Sequence, residues 1–183
     1  MEYFNNKWLP DYVFTKKFES YLFMYHPEFF GDADIFIEEY ISILKTLVKD
    51  GFTAWEVVPK TNEVKILKEY DIIKLNTAQI YEDLFRSDFG YDFGPGVSYL
   101  SDVVGRVYLT VLGNPLCIYL ERDLEAVIVA CSEEISKVFM EKKDALNILT
   151  LEEFVTFIDK FYKRDRDKER FNDIKLKLLE NYS

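Results

Sequence analysis

The sequence has one histidine and two cysteines among 183 residues, and these scarcities exclude several kinds of site. His26 alone rules out metal sites built from several histidines, and any serine or cysteine triad would depend on it. Its place before Pro27, at the end of a predicted helix, favours a structural or capping role. Cys117 and Cys131 lie in predicted strands without metal-ligand spacing. We expect a buried, reduced pair rather than a disulfide, as in a cytosolic protein.

Long apolar runs are also missing. None approaches the roughly 18 residues that a membrane-spanning helix needs, and the opening MEYFNNKWLPDY lacks the basic and apolar regions of a secretory signal. The glycines at 90, 94 and 96 follow a predicted helix and lack the downstream Lys-Ser/Thr pair of a phosphate-binding loop. These absences favour a cytoplasmic protein with no membrane partner, no cofactor and no bound metal.

Basic residues are too few to balance the acidic ones. Asp and Glu number 33 against 23 Lys and Arg, which gives a formal net charge of −10. The surplus lies in residues 1–150, because residues 151–183 carry 8 charges of each sign. Such a surface repels nucleic acid and attracts a basic protein at an enhanced, salt-sensitive rate. Acidity of this degree also serves solubility alone, so charge by itself does not identify a partner.

Aromatic residues, in contrast, are abundant, with 16 Phe and 13 Tyr, and hydrophobic residues make up 49% of the chain. This composition is globular and too aromatic for disorder. The length favours one domain with a sizeable core. We expect residues 1–183 to form a single globular domain on which residues 163–183, opening with KRDRDKER, dock as a charged helical extension.

The segment from Val97 to Cys131 reads most clearly as antiparallel strands. A two-residue turn at Gly113-Asn114 predicts one aliphatic face and one mixed face. The aliphatic pairs are Val107–Leu120, Leu109–Ile118 and Val111–Leu116, and the mixed pairs are Arg106–Glu121, Tyr108–Tyr119 and Thr110–Cys117. A slip of one residue would set apolar side chains opposite polar ones. A second turn near Arg122-Asp123 leads to a third strand over residues 125–131.

Helical patterns surround these strands. They predict helices from Asp11 to before Pro27, over residues 32–50, and from about residue 77. Further helices are expected after a Ser132 cap, after a capping box of Thr150 with Glu153, and at the C-terminus. Alternating segments at 54–58 and 63–67 predict a further hairpin. The fold class is therefore α+β: an antiparallel sheet built from hairpins and a three-stranded meander, with amphipathic helices packed mainly on one face, the aliphatic one.

One stretch combines acidic and aromatic residues in the manner of a contact surface. Aromatic side chains supply contact area at modest entropic cost, and acidic ones steer a basic partner. The predicted partner-binding residues are Tyr81, Glu82, Asp83, Asp88, Phe89, Tyr91 and Asp92. The alternatives are that the aromatic residues belong to the core, or that the carboxylates bind a cation or act as an acid/base pair.

The tetrapeptide Leu9-Pro10-Asp11-Tyr12, before a predicted amphipathic helix, resembles the opening of SUKH-type immunity proteins. The resemblance covers four residues. The glycine pair that the family shows after its first helix is absent, since this chain has Tyr25-His26-Pro27 there. We therefore do not assign the chain to that family.

Three hypotheses about function follow. The first is an acidic cytosolic inhibitor, an immunity protein or antitoxin that neutralises a basic, nuclease-like toxin domain by steric and electrostatic occlusion. The second is a ligand-binding or hydrolytic enzyme that uses carboxylates and tyrosines in a pocket between sheet and helices. The third is a phage-type acidic DNA mimic. A closed pocket holding two carboxyl groups with raised pKa would favour the enzyme, whereas a convex acidic patch would favour the inhibitor.

Overall fold

The computed structural model describes residues 9–25, 52–59, 66–71, 104–111, 115–121, 126–161 and 168–183, with Phe4, Lys7 and the helical positions 39, 42, 43 and 45–47. Besides those helical positions, the described residues contain seven strands and three helices with defined bounds. The strands are β1 (Ser20–Tyr25), β2 (Phe52–Pro59), β3 (Ile66–Asp71), β4 (Val104–Val111), β5 (Leu116–Glu121), β6 (Ala126–Cys131) and β7 (Ile148–Leu149). The helices are α1 (Glu133–Met140), α2 (Leu151–Phe161) and α3 (Lys168–Tyr182). None of these helices is long and apolar enough to cross a membrane.

The strands form one sheet in the order β3-β2-β4-β5-β6-β1-β7. Each neighbouring pair is antiparallel. With helices that follow or connect the strands, the chain is an α+β protein, as the sequence predicts. Three neighbouring pairs are not consecutive in the chain, namely β2 with β4, β6 with β1 and β1 with β7, so β1 lies in the sheet between β6 and β7.

The pairing of β4 with β5 has the register that the side-chain pattern predicts. The observed partners include Arg106 with Glu121, Tyr108 with Tyr119, Leu109 with Ile118 and Thr110 with Cys117. Strand β6 then continues both faces, because Ile118 lies opposite Val129 and Tyr119 lies opposite Ile128. The two predicted turns, at residues 113–114 and 122–123, lie outside the described residues.

The second predicted pair of strands is also present, with a shift. Strand β2 contains the expected segment 54–58, but β3 begins at Ile66, where the sequence pattern suggested residue 63. The two strands are antiparallel, and Val57 lies opposite Ile66. Strand β2 also pairs with β4, so it lies inside the sheet and β3 is the outer strand on this side.

The predicted helix from Asp11 to Pro27 is wrong. Residues 20–25 are strand β1, and Asp11 does not cap a helix. The segment SYLFMY is apolar on both sides because β1 is inserted between β6 and β7, and a short continuous apolar run does not distinguish a buried strand from a helix. The tetrapeptide at residues 9–12 therefore precedes a strand. Its resemblance to SUKH-type proteins assumed that a helix follows it, so that resemblance loses its structural basis.

The central strands are buried on both faces. All six residues of β5 and all six of β6 are buried. The mixed face, which carries Cys117, Tyr119 and Ile128, packs in one cluster with side chains from β1, α2 and α3: Phe23, Phe154, Ile158, Phe171, Ile174, Leu178 and Tyr182. The sequence pattern suggested helices mainly on the aliphatic face, but α2 and α3 lie on the opposite one. The small residues Ala126 and Ala130 belong to this cluster and leave room for the helices.

A buried carboxylate lies within this face. Glu121 is only 3% exposed. Its Oε2 accepts the backbone N–H of Leu9 at 2.9 Å and the hydroxyl of Tyr119. Because a buried charge is costly without such bonds, the pair of donors ties the N-terminal segment to the end of β5.

The helix starts follow the predicted capping residues. The hydroxyl of Ser132 accepts the N–H of Ile135 at the start of α1. At α2, the N–H of Glu153 donates to Thr150 Oγ1 at 3.1 Å, and the N–H of Thr150 donates to Glu153 Oε2 at 2.8 Å. This reciprocal pair is the capping box that the sequence predicts, and it satisfies two amides that have no partner within the helix.

Helix α3 is joined to the N-terminal segment through its last turn. The hydroxyl of Tyr182 accepts the N–H of Val13 and donates to the carbonyl of Asp11, both at 3.1 Å. The amide of Asn181 donates to the carbonyl of Pro10 at 3.0 Å. The predicted apolar stripe of this helix, at 171, 174 and 178, is buried.

Replacing Tyr182 by Phe should destabilise the protein by about 1–3 kcal/mol. The ring packing is kept, but the buried N–H of Val13 loses its acceptor, and an unsatisfied buried donor costs this amount. Denaturant unfolding of the two proteins measures the difference. The exposed neighbour Glu180 provides the control, Glu180→Gln, which should change the unfolding free energy by less than about 0.5 kcal/mol. Equal stability of Tyr182→Phe and the wild type would refute the role of the hydroxyl.

Replacing Thr150 by Ala should cost about 1 kcal/mol, because it removes the acceptor for the first-turn amide of Glu153. Thr156 is a matched control in the same helix, since its hydroxyl bonds only to the carbonyl of Glu152 one turn earlier. Alanine is the better helix former at such a position, so Thr156→Ala should be neutral or slightly stabilising in the same denaturant assay. A similar loss in both variants would contradict the capping role.

Candidate functional site

The contact surface predicted from the sequence lies outside the described residues. This applies to all seven of its members, Tyr81, Glu82, Asp83, Asp88, Phe89, Tyr91 and Asp92, and to His26. That surface stays a prediction. The features of the described residues that could carry chemistry or binding are thiols, tyrosines, carboxylates and surface cavities.

The two thiols are free, buried and on opposite faces of the sheet. Cys117 lies opposite Ala130 and Cys131 opposite Leu116, and neighbouring positions along a strand alternate between faces. A disulfide between them is therefore excluded by geometry. Burial raises the pKa of each thiol to about 12, so both remain protonated near neutral pH and neither is a ready nucleophile.

Tyrosine hydroxyls near the N-terminal segment form a chain of hydrogen bonds. Tyr21 Oη accepts the N–H of Phe18 at 2.8 Å and lies 2.6 Å from Tyr12 Oη, which donates to the carbonyl of Lys16. Since the proton of Tyr12 goes to that carbonyl, Tyr21 donates to Tyr12. Burial raises the pKa of Tyr12 well above its usual range. The chain of hydroxyls holds this segment together by hydrogen bonds.

The part of the chain that is described contains no candidate metal-binding site. No group of three or more His, Cys, Asp or Glu residues there has an arrangement that could hold a metal ion. The carboxylate of Glu121 is buried among protein donors, whereas those of Asp144, Glu152 and Glu153 lie on the surface.

A surface groove lies where the outer edge of the sheet meets α2. It forms because the chain turns sharply after α1: the N–H of Leu146 bonds to the carbonyl of Lys142 at 3.0 Å and that of Ile148 to the carbonyl of Lys143 at 2.9 Å. Asn147 takes a positive φ of 49°, a conformation that asparagine tolerates. The two-residue strand β7 follows and pairs with the end of β1. The capping box then sets the direction of α2 along the groove.

Two adjoining cavities make up this feature, which we call the Tyr25–Phe157 groove. The first has a volume of about 560 Å³, and its described lining is Tyr25, Lys143, Asp144, Asn147, Ile148, Leu149 and Phe157. The second has a volume of about 470 Å³ and is lined by Leu149, Glu152, Glu153, Thr156 and Phe157. Because Leu149 and Phe157 line both, the groove has an apolar floor that continues from one cavity to the next.

The two aromatic rings at this floor touch each other. The ring centroids of Tyr25 and Phe157 are 4.5 Å apart with an interplanar angle of 51°. Both residues are only partly buried, so ring surface remains exposed to the groove. Such rings offer apolar contact area and a negative quadrupole face to a ligand.

The charged residues of the described lining are predominantly acidic. Lys143 Nζ lies 3.5 Å from Glu153 Oε2, and their side chains are 38% and 48% exposed. The N–H of Thr150, and then Lys143, lower the pKa of the Glu153 carboxyl, so it is ionised at neutral pH. A lowered pKa is the opposite of what a general acid needs. With Asp144 and Glu152 also exposed, the groove is equipped to bind a cationic group rather than to transfer a proton.

The sequence pattern does not reveal this groove. It places Tyr25 and Phe157 in apolar helical stripes, whereas Tyr25 belongs to a strand. The two residues are 132 positions apart, and the pairing of β1 with β7 together with the packing of α2 against β1 brings them into contact. No local motif contains that information.

Alkaline pH should destabilise the protein through the buried thiols. Their pKa is about 12 in the folded chain against an ordinary value of 9.0, so above pH 9 the unfolded chain loses protons that the folded chain retains. The unfolding free energy should therefore fall as pH rises from 9 towards 12, by up to about 1.4 kcal/mol per pH unit for each thiol. Guanidinium unfolding between pH 8 and 10.5 measures this slope. In the Cys117→Ala variant this slope should be smaller by the contribution of one thiol. An unchanged slope would contradict the raised pKa of Cys117.

Comparisons with known proteins give this chain no family. No protein-family model matches it, and no curated protein and no solved structure resembles it to a significant degree.

Proposed function

We propose that this protein is an acidic binding protein that inhibits a basic protein partner, such as a nuclease-like toxin domain, in the manner of an immunity protein or antitoxin. The observation that carries the proposal is the formal charge of −10, all of it contributed by residues 1–150. A concentrated charge of one sign accelerates association with an oppositely charged partner and disfavours wrong partners.

The chemistry of the described side chains supports a binding role over an enzymatic one. The side chains of Cys117, Cys131 and Tyr12 have raised pKa values and stay protonated. The Glu153 carboxyl at the groove has a lowered pKa and an ion-pair partner. Proton transfer at neutral pH favours groups whose pKa lies near 7, and the pKa values of these four residues are shifted away from 7.

The mechanism we propose is occlusion. Carboxylates between Tyr81 and Asp92 would pair with lysine and arginine side chains that a nuclease uses to hold phosphate, while the aromatic residues between them anchor the contact. The proposal includes a cytoplasmic location in a bacterium. It also includes the finer connectivity predicted from the sequence, a three-stranded meander with tight turns.

Affinity capture tests this function. The full chain serves as bait for lysate of its own cells and for the products of neighbouring genes, first at low and then at high salt, with mass spectrometry as the readout. We expect a stoichiometric basic protein that high salt releases, because screening weakens attraction between exposed charges. Recovery of no basic protein would refute the proposal.

A charge-matched pair of variants tests the mechanism once the partner is in hand. Replacing Asp88 and Asp92 together by Asn should weaken the complex at least about tenfold, or about 1.4 kcal/mol. Replacing the exposed α3 residues Asp173 by Asn and Glu180 by Gln removes the same charge elsewhere and should leave the affinity nearly unchanged. A tight complex that is indifferent to salt and to the first pair would exclude occlusion by these carboxylates.

A further inference from the structure

We infer that the Tyr25–Phe157 groove is a docking site for an arginine side chain, with its flanking backbone, presented by a basic protein partner. The class of partner rests on the proposed function. The site itself rests on separate observations, all of them on described residues outside the segment from Tyr81 to Asp92.

The aromatic floor is the first of these observations. Tyr25 and Phe157 meet at a centroid distance of 4.5 Å with a tilt of 51° between their planes, and both line the first cavity. A guanidinium group is planar and weakly hydrated, so it stacks on such rings more readily than an ammonium group does. Leu149, which also lines both cavities, extends the floor for the aliphatic stem of the side chain.

Charge complementarity is the second observation. The described lining includes three carboxylates, Asp144, Glu152 and Glu153, and a single ammonium group, that of Lys143. The resulting formal charge is −2. Lys143 and Glu153 already form an ion pair. The surplus negative charge is therefore that of Asp144, in the first cavity, and Glu152, in the second. Carboxylates accept the forked donors of arginine in a bidentate manner, which favours a cation over an anion or a neutral ligand.

The size of the groove sets the length of the occupant. One arginine side chain does not fill a cavity of about 560 Å³ adjoined by another of about 470 Å³, since volumes of this order hold drug-sized ligands. The peptide units on either side of the arginine therefore have room in the groove. This matches a short exposed segment of a basic protein better than a free amino acid.

The test uses a defined probe and the full chain. Acetyl-Gly-Gly-Arg-Gly-Gly-amide is titrated into ¹⁵N-labelled protein, and an identical peptide with citrulline in place of arginine has nearly the same shape without the charge. We expect amide shift changes at residues 25, 149 and 157 with the arginine peptide, and binding weaker by at least about tenfold with the citrulline peptide. Equal binding of both peptides, or shift changes confined to other surfaces, would overturn the inference.

Variants of Phe157 and Glu152, each with a control, test whether the peptide binds in the groove. Phe157→Leu removes the ring and keeps apolar volume, so it should weaken the arginine peptide several-fold, whereas Phe157→Tyr should retain binding. Glu152→Gln alters only an exposed side chain and should weaken binding without affecting the fold. The exposed residue Glu180 again supplies the control, because Glu180→Gln should bind like the wild type. Unaltered affinity in both Phe157→Leu and Glu152→Gln would exclude the groove.

The test of the groove and the test of the inhibitor function can fail independently of each other. A basic partner captured equally well by the wild type and by Glu152→Gln with Phe157→Leu would leave the inhibitor function standing and refute the groove as its docking site. Arginine-peptide binding at the groove, with no basic protein captured from lysate, would support the groove and refute the inhibitor function.

Discussion

Burial of the central strands on both faces is the constraint on which the rest of this structure depends. Strands β5 and β6 have no exposed residue, so each position must be apolar or must find its hydrogen bonds inside the protein. Glu121 shows the consequence. Its carboxylate is retained in the interior because Leu9 and Tyr119 donate to it, and this requirement fixes the N-terminal segment against the sheet.

The same requirement explains how the two ends of the chain meet. The N-terminal segment lies in no helix or named strand between residues 9 and 19, so its buried backbone groups need partners from elsewhere. The last turn of α3 supplies them through Tyr182 and Asn181, which bond to the backbone of Asp11, Val13 and Pro10. Around these bonds lies a cluster of aromatic rings in which Tyr182 contacts Tyr12, Phe14, Tyr21 and Phe23. The high aromatic content of the sequence is used here for packing rather than for chemistry.

The interior and the surface of this protein differ sharply in their chemistry. Inside, thiols and phenols are protonated and engaged in packing or hydrogen bonds. Outside, the charge is acidic, and the Tyr25–Phe157 groove joins exposed ring surface to carboxylates. An aromatic floor with an acidic rim is suited to the side chains of a basic protein, which is the same chemistry that the charge of the whole chain suggests. The proposed docking site would give the proposed binding function a second surface.

The sequence alone determined features that depend on neighbours along the chain or on the alternation of one strand pair. The β4–β5 register followed from alternation, because a slip of one residue would reverse every side chain. The Ser132 cap and the Thr150–Glu153 capping box followed from spacing within one helical turn. Tertiary structure decided the remainder. Residues 20–25 are equally apolar as a helix or as a strand, and only the free edge of β6 made them β1. Strand β7 is too short to leave a pattern. The face on which α2 and α3 pack, and hence the meeting of Tyr25 with Phe157, depended on which buried surface had room for a helix, and that is a property of the assembled sheet.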